Sequence, residues 1–405
     1  FLKIGFNKDL FHKSFSVFLY KYLSLSTKNI NKILFLTTAH HFNDDRIFYH
    51  QAKELKNKGF DVKICSLSSD FVGNIDDVEI ESYPVIEKSF SEKIEIFQRI
   101  IEEFQPDCIV GSEPLAIISA KNYKKKRNIN VMYDVTEWYP SKRMVENYSF
   151  FIKIFHAIKF FIIQLYSGLI STHFIFGENT KKFPLAYVFP FKKQIVLPYY
   201  PSEKYVYPSL KKLEHKKIKL CYAGVFSKEK GIGNFFEAVH NLCRKRPDIE
   251  IFILLIGASR KYKDKIYFEN LLKKYQFKNI EIKKPTSFET FTQSYSEADI
   301  CFDLRELNFE NNHCLPIKIF YYAASGKPVI YTNLKATREH IEVSKFGYLV
   351  NPEDAGTISN LISKYVDNPE LYYLHAQNSR KLFEEKYNWD LISNSFSDFV
   401  RQSIQ

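Results

Sequence analysis

Short apolar runs alternate with amphipathic stretches along most of this chain. Residues 32–39 (KILFLTTA) form an apolar run of strand length, residues 46–58 follow a helical pattern, and residues 61–67 form the next strand-like run. The same alternation starts again at residues 218–223 (IKLCYA) and continues towards residue 350. Strands that alternate with helices in this way predict an α/β fold built on parallel sheets.

A polar segment at residues 201–217 interrupts this alternation. It contains prolines and lysines and shows no apolar periodicity, which is the composition of a linker. With 405 residues, the chain is long enough to form two hydrophobic cores. We therefore predict two domains, residues 32–200 and 218–386, joined by this linker and preceded by an amphipathic segment at residues 1–31.

Two stretches combine aromatic and basic side chains. Residues 1–31 place aromatic residues among lysines and serines, and residues 149–170 (SFFIKIFHAIKFFIIQLYSGLI) are the most apolar stretch of the chain. Lys153, Lys159 and Gln164 interrupt the second stretch, so a membrane-spanning helix is not expected there. Either stretch fits a helix on an anionic membrane surface or a helix packed inside the protein. For residues 149–170 we favour the buried core helix.

The overall composition is that of a folded protein, with 45% hydrophobic and 26% charged residues. A formal net charge of +12 favours anionic partners, either phosphorylated substrates or an anionic membrane. Nucleic acid is not expected, because neither zinc-finger spacing nor an RNP-like motif occurs. The six cysteines are scattered without a CxxC pair, which predicts core positions in a reducing, cytoplasmic compartment. The sequence begins at Phe1 and not at a methionine, so a preceding targeting segment is left open.

A loop, a short helix and a strand follow one another closely at residues 308–332 (NFENNHCLPIKIFYYAASGKPVIYT). Pro316 sets the φ angle of a first helical turn, and Gly326 supplies the residue that ends the helix. The β-branched and aromatic residues after Pro328 predict a buried strand. A polar loop in front of a helix and an immediate return strand together make a place where an anion can bind.

The run at residues 315–330 (LPIKIFYYAASGKPVI) resembles the signature of family 4 glycosyltransferases, which reads Leu-Pro-Asn-Lys-x-Phe-Glu-Tyr-x-Ala-x-Gly-x-Pro-Val-Ile. The resemblance implies that Pro316 and Lys318 lie at the donor site. Tyr321 stands at the position of the family glutamate that holds the ribose hydroxyls, and its phenol could bond a ribose hydroxyl instead. His313 stands at the position of the partner acid, which other members also lack.

A glycine-rich turn before a predicted helix, GVFSKEKGIG, resembles the Gly-Arg-x-x-x-x-Lys-Gly loop of the same family. Gly224, Lys230 and Gly231 match this loop, whereas Val225 takes the place of the arginine. A lysine beside loop amides is suited to clamp a pyrophosphate, although a solvated lysine in a turn is the alternative. Arg305 follows a predicted strand, and we hypothesise that it replaces the missing arginine as a phosphate partner.

The segment TTAHHFNDDRIFYHQAKEL resembles the opening of one branch of the family, whose loop reads His-x-x-x-Asp-x-Arg-Ile-Phe. This resemblance implies that His40, Asp45 and Arg46 face the acceptor side of the cleft. Capping of the following helix by Asn43, Asp44 or Asp45 is the competing interpretation.

The strand-like run NVMYDV and the TEWYP that follows resemble the Tyr-Asp-Val-His-Glu segment of the same branch. Asp134 and Glu137 match, and Thr136 stands where the family has the histidine that approaches the donor sugar. The resemblance places these three residues at the reacting centre. A threonine cannot carry a proton near neutral pH, so the chemistry here departs from the family pattern.

Taken together, the resemblance implies an α/β protein of the GT-B fold, with two facing Rossmann-like domains, a central cleft and a C-terminal helix (387–405) that crosses back onto the first domain. It implies a retaining glycosyltransferase that uses a nucleotide sugar as substrate, needs neither cofactor nor metal, and acts on a glycan or lipid-linked acceptor in cell-surface polysaccharide or glycolipid synthesis. We expect a cytoplasmic protein, with peripheral binding to the inner face of the membrane left open. The alternative is a non-catalytic relative that binds a glycan, a membrane or an active subunit.

Overall fold

The computed structural model describes residues 31–137, 139–146 and 148–404. The amphipathic segment predicted at residues 1–31 lies outside them apart from its last residue. The chain divides into two compact units, one formed by residues up to 132 together with those from 400 onwards, and the other by residues 133–399. The predicted division at residues 201–217 stays a prediction.

The first unit is an α/β arrangement. Its strands are β1 (Lys32–Thr37), β2 (Asp61–Ser66), β3 (Ser68–Ile75), β4 (Val78–Pro84) and β5 (Cys108–Gly111). Its helices are a π-helix (Asp45–Ala52), α1 (Lys53–Asn57), α2 (Phe90–Phe104), α3 (Pro114–Ser119) and α4 (Lys121–Arg127). Strand β6 (Asn130–Val135) begins in this unit and ends in the second.

The second unit begins with an alternation of helices and short strands. These are α5 (Lys142–Val145), α6 (Phe150–Ile170), β7 (His173–Phe176), a 3-10 turn (Asn179–Lys182), α7 (Leu185–Val188), β8 (Lys193–Val196) and a second 3-10 turn (Glu203–Tyr205).

A second run of alternating strands and helices follows. Its strands are β9 (Lys217–Val225), β10 (Glu250–Ala258), β11 (Ile280–Lys283), β12 (Ile300–Asp303), β13 (Val329–Thr332) and β14 (Gly347–Val350). Its helices are α8 (Ile232–Lys245), α9 (Tyr262–Tyr275), α10 (Phe291–Ser294), α11 (Phe309–Asn312), α12 (Lys318–Ala324), α13 (Lys335–His340), a 3-10 turn (Val343–Lys345), α14 (Ala355–Asp367), α15 (Pro369–Glu385) and α16 (Trp389–Ile404).

These strands form two sheets. The eight-stranded sheet has the order β3-β4-β2-β1-β5-β6-β7-β8, and the six-stranded sheet has the order β11-β10-β9-β12-β13-β14. In the six-stranded sheet all neighbouring strands are parallel, and β9 lies between β10 and β12. The carboxyl ends of parallel strands are where open α/β sheets bind ligands, so the loops after β9 and β12 are placed side by side at such an edge.

The sequence pattern did not predict β3, which pairs antiparallel with β4 at the edge of the first sheet. Its side chains alternate between partly buried and exposed positions along residues 70–75. An edge strand that buries little apolar surface carries a weak hydrophobic pattern, which explains the omission.

Helix α16 runs from the second unit into the first. Within the first unit, the carbonyl oxygen of Ser403 accepts a hydrogen bond from the Asn130 amide, and the Arg401 guanidinium lies 5.7 Å from the centre of the Phe60 ring. These contacts tie the end of the chain to the strand β6 and to the residue before β2.

The preference for a buried core helix at residues 149–170 is wrong. The region forms α6, but only Gln164, Ser167, Gly168 and Ile170 of this helix are buried. Among the described residues, α6 is the single helix whose length and composition would suffice to cross a membrane. The helical period alone could not tell an apolar face that packs inward from one that is exposed.

Lys327 fixes the linker to the second sheet. Its side chain is fully buried, and its ammonium donates hydrogen bonds to the carbonyl oxygens of Ser209 (2.8 Å), Ser296 (2.6 Å) and Ala298 (2.8 Å). A buried lysine is stable only when such partners replace its water shell. Lys327 thus connects the linker to residues 296 and 298, which follow α10.

Replacing Lys327 with methionine keeps the apolar stem and leaves three carbonyls without their donor. Because hydrogen bonds to a charged group contribute on the order of 1.5–3 kcal/mol each, we expect the free energy of unfolding to fall by about 3 kcal/mol or more. Urea denaturation measures this change. The control is Lys381→Met, whose side chain is 68% exposed and should shift stability by only about 0.5 kcal/mol. Equal shifts for the two variants would contradict the role of Lys327.

Candidate functional site

The loop after β9 is shaped by one tyrosine. The hydroxyl of Tyr222, a residue 2% exposed, lies 3.0 Å from the carbonyl oxygen of Val225 and 2.9 Å from that of Lys230. This hydroxyl therefore bridges the start and the end of the loop. The Lys230 amide also donates to the Ser227 hydroxyl at 3.3 Å, so the loop is closed from within.

Gly231 ends this loop and precedes the first turn of α8. Its φ angle is +80°, and a Cβ atom placed here would lie 1.8 Å from the Leu304 carbonyl oxygen. Only glycine permits both the backbone conformation and this approach. The Asn234 amide donates to the same Leu304 oxygen at 3.0 Å. The loop after β9 thus rests directly on the backbone that follows β12.

That second loop carries a buried ion pair. Asp303 ends β12, and its two oxygens accept hydrogen bonds from Nε (2.7 Å) and Nη2 (2.5 Å) of Arg305. The residues Asp303 and Arg305 are 6% and 9% exposed. Burial alone would raise the pKa of Asp303, but the adjacent guanidinium holds this pKa below its usual value, and Lys318 and Lys230 add to the effect.

This geometry changes the hypothesis that Arg305 replaces the missing arginine. Its Nε and Nη2 atoms are held by Asp303, so the guanidinium has Nη1 left for a ligand. Arg305 is therefore fixed in place before any ligand binds. Its role as a phosphate partner stays a prediction.

Lys318, at the start of α12, points its amine to the carboxyl end of β9. A Cβ atom on Gly224 would lie 2.6 Å from Lys318 Nζ, so the absence of a side chain at residue 224 makes room for this amine. Burial lowers the pKa of Lys318 to about 8, with Arg305 and Lys230 acting in the same direction and Asp303 opposing them. The amine is thus a cation with a weakened hold on its proton.

Lys230 completes the group of cations. Its ammonium lies 3.0 Å from Glu229 Oε1, and the side chains are 28% and 45% exposed. Such a partly exposed pair contributes only about 0–1 kcal/mol, so an anionic ligand can displace the carboxylate at little cost. The structure therefore brings together four predicted donor-site residues, Gly224, Lys230, Gly231 and Lys318, with Arg305 beside them.

Tyr321 is placed among other aromatic rings. It is 4% exposed, and its ring lies edge-on to Phe288 (6.0 Å between centres) and Phe291 (5.9 Å). Where the family signature has a carboxylate, this chain therefore has part of an aromatic cluster. Whether the Tyr321 phenol meets a ribose hydroxyl stays a prediction.

The residues before α12 contact the segment after β7. The backbone amide of Leu315 donates to the buried carboxylate of Glu178 at 3.1 Å, and Thr180 donates to the carbonyl oxygen of His313 at 3.1 Å. Burial raises the pKa of Glu178. The His313 ring lies beside Phe309, with its Nδ1 atom 2.8 Å from the Phe309 carbonyl oxygen.

The loop just before α12 is therefore fixed through backbone atoms, and Pro316 at its end is buried. His313, which stands at the position of the first acid of the family pair, has its imidazole in local contact with Phe309.

In the first unit, a separate polar cluster surrounds His40. Its Nδ1 atom lies 3.0 Å from Asp44 Oδ2, and its Nε2 atom lies 3.7 Å from Glu113 Oε1. Glu113 is 5% exposed and accepts hydrogen bonds from the Thr37 hydroxyl (2.9 Å) and the Thr38 amide (2.9 Å). Burial raises the pKa of Glu113, although His40 opposes the effect.

Asp44 caps the helix that follows, because its carboxylate accepts from the amides of Arg46 and Ile47. The competing capping interpretation is thus correct for Asp44. Burial, together with the charge of Asp44, raises the pKa of Asp45 to about 7. Arg46 is only 3% exposed, so its guanidinium is not presented at the surface. An acceptor-side role for His40, Asp45 and Arg46 stays a prediction.

The three residues predicted at the reacting centre lie in β6 or directly after it. Asp134 is fully buried within the strand, whereas Thr136 and Glu137 come after its end and are partly buried. Their catalytic assignment stays a prediction. Among the described residues, no group of three or more His, Cys, Asp or Glu side chains is arranged to hold a metal ion.

Sequence reasoning missed four residues that shape these sites, namely Glu113, Glu178, Tyr222 and Asp303. The three acids share one signal, because each stands at the end of a short apolar run or within two residues of it. In α/β folds this is where strands deliver side chains to a ligand edge. Tyr222 lies inside its run and carried no such signal.

The two sheets with their intervening helices define the class. Solved structures of similar fold include a sucrose-phosphate synthase from Thermosynechococcus elongatus, with a TM-score of 0.71 and 16% identity over 92% of this chain and 98% of that chain. HepE from Anabaena, in complex with UDP-glucose, has a TM-score of 0.67 and 12% identity over 92% of this chain and 99% of its own. WaaG, a glycosyltransferase involved in lipopolysaccharide biosynthesis, has a TM-score of 0.65 and 15% identity over 91% of this chain and 99% of its own. The predicted GT-B fold, with two Rossmann-like domains, is confirmed.

Residues 208–382 match the family model described as glycosyl transferases group 1. No curated protein matches the chain by sequence. The matched residues contain the loop after β9, the Asp303–Arg305 pair and α12. Residues 208–382 are therefore similar to a glycosyl transferases group 1 domain, in a chain that has the GT-B fold.

Two glycines test the close approach at Gly231. Gly231 and Gly59 have nearly the same φ angles, +80° and +85°, but a Cβ atom on Gly59 would meet nothing within 4 Å. We expect Gly59→Ala to cost only about 1 kcal/mol through its backbone conformation. Gly231→Ala should cost at least about 2 kcal/mol more, because the loop must move away from Leu304. Denaturant unfolding of both variants measures the difference, and similar losses would show that the approach is unimportant.

Proposed function

We propose that this protein transfers a sugar from a nucleotide sugar to a glycan or lipid-linked acceptor, with retention of configuration and without a metal ion. The observation that carries the proposal is the position of the Lys318 amine over Gly224, beside the loop that ends in Lys230 and Gly231. Two cations and a loop closed by Tyr222 converge at the carboxyl end of β9.

These groups suit a diphosphate leaving group. Bond cleavage between the sugar and the diphosphate leaves negative charge on phosphate oxygens. Lys318 and Lys230 can stabilise that charge from fixed positions, which is the preorganised electrostatic stabilisation that lowers a barrier most effectively. Asp303 balances Arg305, and the partly exposed Glu229 is a partner that an anionic ligand can displace from Lys230. This arrangement supports a mechanism that does not depend on a metal.

The donor class is supported by a structural neighbour. HepE was solved with UDP-glucose and with UDP, and its fold covers 92% of this chain. We therefore propose a uridine diphosphate sugar as the first donor to test. Retention is supported by the resemblance of residues 315–330 to family 4, whose members retain the configuration of the sugar.

The acceptor side is supported by less specific observations. WaaG takes part in lipopolysaccharide biosynthesis, which favours a glycan or glycolipid acceptor in cell-surface assembly. We place the protein in the cytoplasm, where nucleotide sugars are available, with peripheral binding to the membrane. His40 beside the buried Glu113 is our candidate for contact with an acceptor hydroxyl.

A second candidate function is a non-catalytic subunit. The aromatic cluster of Tyr321, Phe288 and Phe291 favours it, because it takes the place of the ribose-binding carboxylate. Such a protein would bind a glycan, a membrane or an active glycosyltransferase without turnover. Binding and turnover of a donor distinguish the two functions.

We expect calorimetry to show that one nucleoside diphosphate among UDP, GDP, ADP, dTDP and CDP binds selectively, and that the matching nucleotide sugars are slowly hydrolysed. Lys318→Ala and Lys230→Ala should each weaken this binding at least tenfold, because each removes a charged partner of the diphosphate. Lys228→Ala, an exposed change in the same loop, is the matched control and should bind as the wild type does. Selective binding without turnover, also after addition of glycan acceptors, would favour the non-catalytic subunit. If well-folded protein binds none of these nucleotides, the proposed donor site is wrong.

The pKa of Lys318 predicts how binding depends on pH. A diphosphate prefers the protonated amine, so affinity is fully present well below pH 8 and is lost as the pH rises through that value. At one pH unit above the pKa only about a tenth of the amine is charged, so the affinity should fall up to about tenfold between pH 7 and pH 9. Lys318→Met should bind weakly with a flat profile, which separates this effect from titration of the ligand. A wild-type profile as flat as that of Lys318→Met would remove Lys318 from the site.

A further inference from the structure

Helix α6 buries four residues, of which only Ile170 has a large apolar side chain. The positions that it buries include Gln164 (1% exposed) and Ser167 (0%), together with Gly168. The Ser167 hydroxyl donates to the carbonyl oxygen of Ile163 inside the helix at 2.9 Å. A helix of a water-soluble protein normally buries its apolar stripe instead, so the arrangement of α6 is inverted.

The exposed side of α6 is a continuous apolar stripe. Its members follow each other at steps of three or four residues, which is the spacing of one helix face. They are Phe151 (82% exposed), Phe155 (67%), Ile158 (56%), Ile162 (58%), Tyr166 (37%) and Leu169 (62%). With a rise of about 1.5 Å per residue, this stripe is roughly 27 Å long. Apolar patches of such extent mark an interaction surface.

A second exposed apolar segment adjoins the end of this helix. A Cβ atom on Gly168 would lie 2.6 Å from Leu185 and 2.7 Å from Phe189, so α7 and its following turn pack directly against α6. Lys192 secures the contact by donating to the carbonyl oxygen of Gly168 at 2.5 Å. The exposed apolar residues of this segment are Phe183 (49%), Tyr187 (74%), Val188 (51%) and Phe191 (99%).

The charge of this region has one sign. Between residues 149 and 202 the sequence contains a single acid, Glu178, which is 5% exposed and bonded to the Leu315 amide. The same stretch contains six lysines, at positions 153, 159, 181, 182, 192 and 193, and two histidines, at positions 156 and 173. Exposed aromatic residues among lysines without neighbouring acids fit a surface that carries negative charge.

We propose that α6 and residues 183–191 form a docking surface for an anionic lipid bilayer, with the axis of α6 parallel to the membrane plane. The apolar stripe enters the boundary between headgroups and acyl chains, and the lysines bind lipid phosphates. Lys153 and Lys159 lie within α6 itself, and the polar side of its C-terminal half is packed against protein. A helix so placed lies on a membrane and does not span it.

A second copy of this chain fits the surface less well. In a two-fold symmetric dimer the same patch meets itself, so exposed Lys159 and Lys193 would approach their own copies. Like charges at an interface weaken it, whereas lipid phosphates neutralise them. The charge pattern therefore favours lipid as the occupant.

The test uses the full chain and sedimentation with vesicles, without any nucleotide, so that its outcome does not depend on the proposed transfer reaction. We expect the protein to bind vesicles of phosphatidylcholine mixed with phosphatidylglycerol, and to bind pure phosphatidylcholine vesicles at least tenfold more weakly. Binding should decrease as salt is added, because the lysine contacts are screened. Equal binding to both vesicle types, or no binding to either, would overturn the proposal.

Two variants assign the binding to α6. Phe151→Ser with Phe155→Ser should reduce binding to the mixed vesicles at least tenfold, because two exposed rings no longer enter the bilayer. The matched control is Leu374→Ser with Leu391→Ser, two residues that are 51% and 54% exposed elsewhere on the surface. An unchanged affinity of the phenylalanine variant, or an equal loss in the control, would show that α6 is not the docking surface.

The charge reversal Lys153→Glu with Lys159→Glu tests the lipid partner separately, and it should abolish the preference for anionic vesicles. Unchanged unfolding temperatures show that the variants fold. Light scattering in the absence of lipid detects the other occupant. If the wild type is a dimer and the phenylalanine variant is a monomer, the surface binds a second copy of the chain and the bilayer proposal is overturned.

Discussion

The contact between Gly231 and the Leu304 carbonyl is the constraint on which the predicted donor site depends. It brings the loop after β9 onto the backbone after β12, at a distance that no other residue type would allow. The Tyr222 hydroxyl bridges the start and the end of the same loop, and the Asn234 amide donates a hydrogen bond to the Leu304 oxygen. As a result, Lys230 is presented from a backbone that cannot move independently of the strand beside it.

Electrostatics then determine what this rigid arrangement can bind. Asp303 and Arg305 neutralise each other in the buried layer, where a single charge would be very costly. Lys318 and Lys230 lie close enough to interact with this pair, Lys230 has the partly exposed Glu229 as its own partner, and burial weakens the hold of Lys318 on its proton. The proposed diphosphate ligand would supply negative charge to these two lysines. A partly desolvated pair of cations gains most from an anion, which is the property that the proposed departure of a diphosphate requires.

Sequence reasoning succeeded where the determinants are local. The strands at residues 32–37 and 217–225 follow from their apolar runs, and the order of loop, helix and strand around Pro316 follows from its turn residues. It failed where the determinants are distant in sequence. The hydrogen bonds between Arg305 and Asp303 depend on the backbone conformation at the end of β12. The hydrogen bond from the Leu315 amide to Glu178 joins residues far apart in the chain. Neither periodicity nor propensity contains such information, and a family signature gives positions without their partners.

The inverted helix α6 shows how one chain can serve two environments. Its sequence has enough apolar residues for a core, yet the neighbouring elements receive its Gln164, Ser167 and Gly168 side. Small and polar residues permit a close approach, as at Gly168, but contribute little hydrophobic free energy. The exposed stripe therefore remains a cost to the free protein in water. That cost is removed when a bilayer covers the stripe, and if the proposed function holds, the same step would bring the protein to the membrane where lipid-linked acceptors reside.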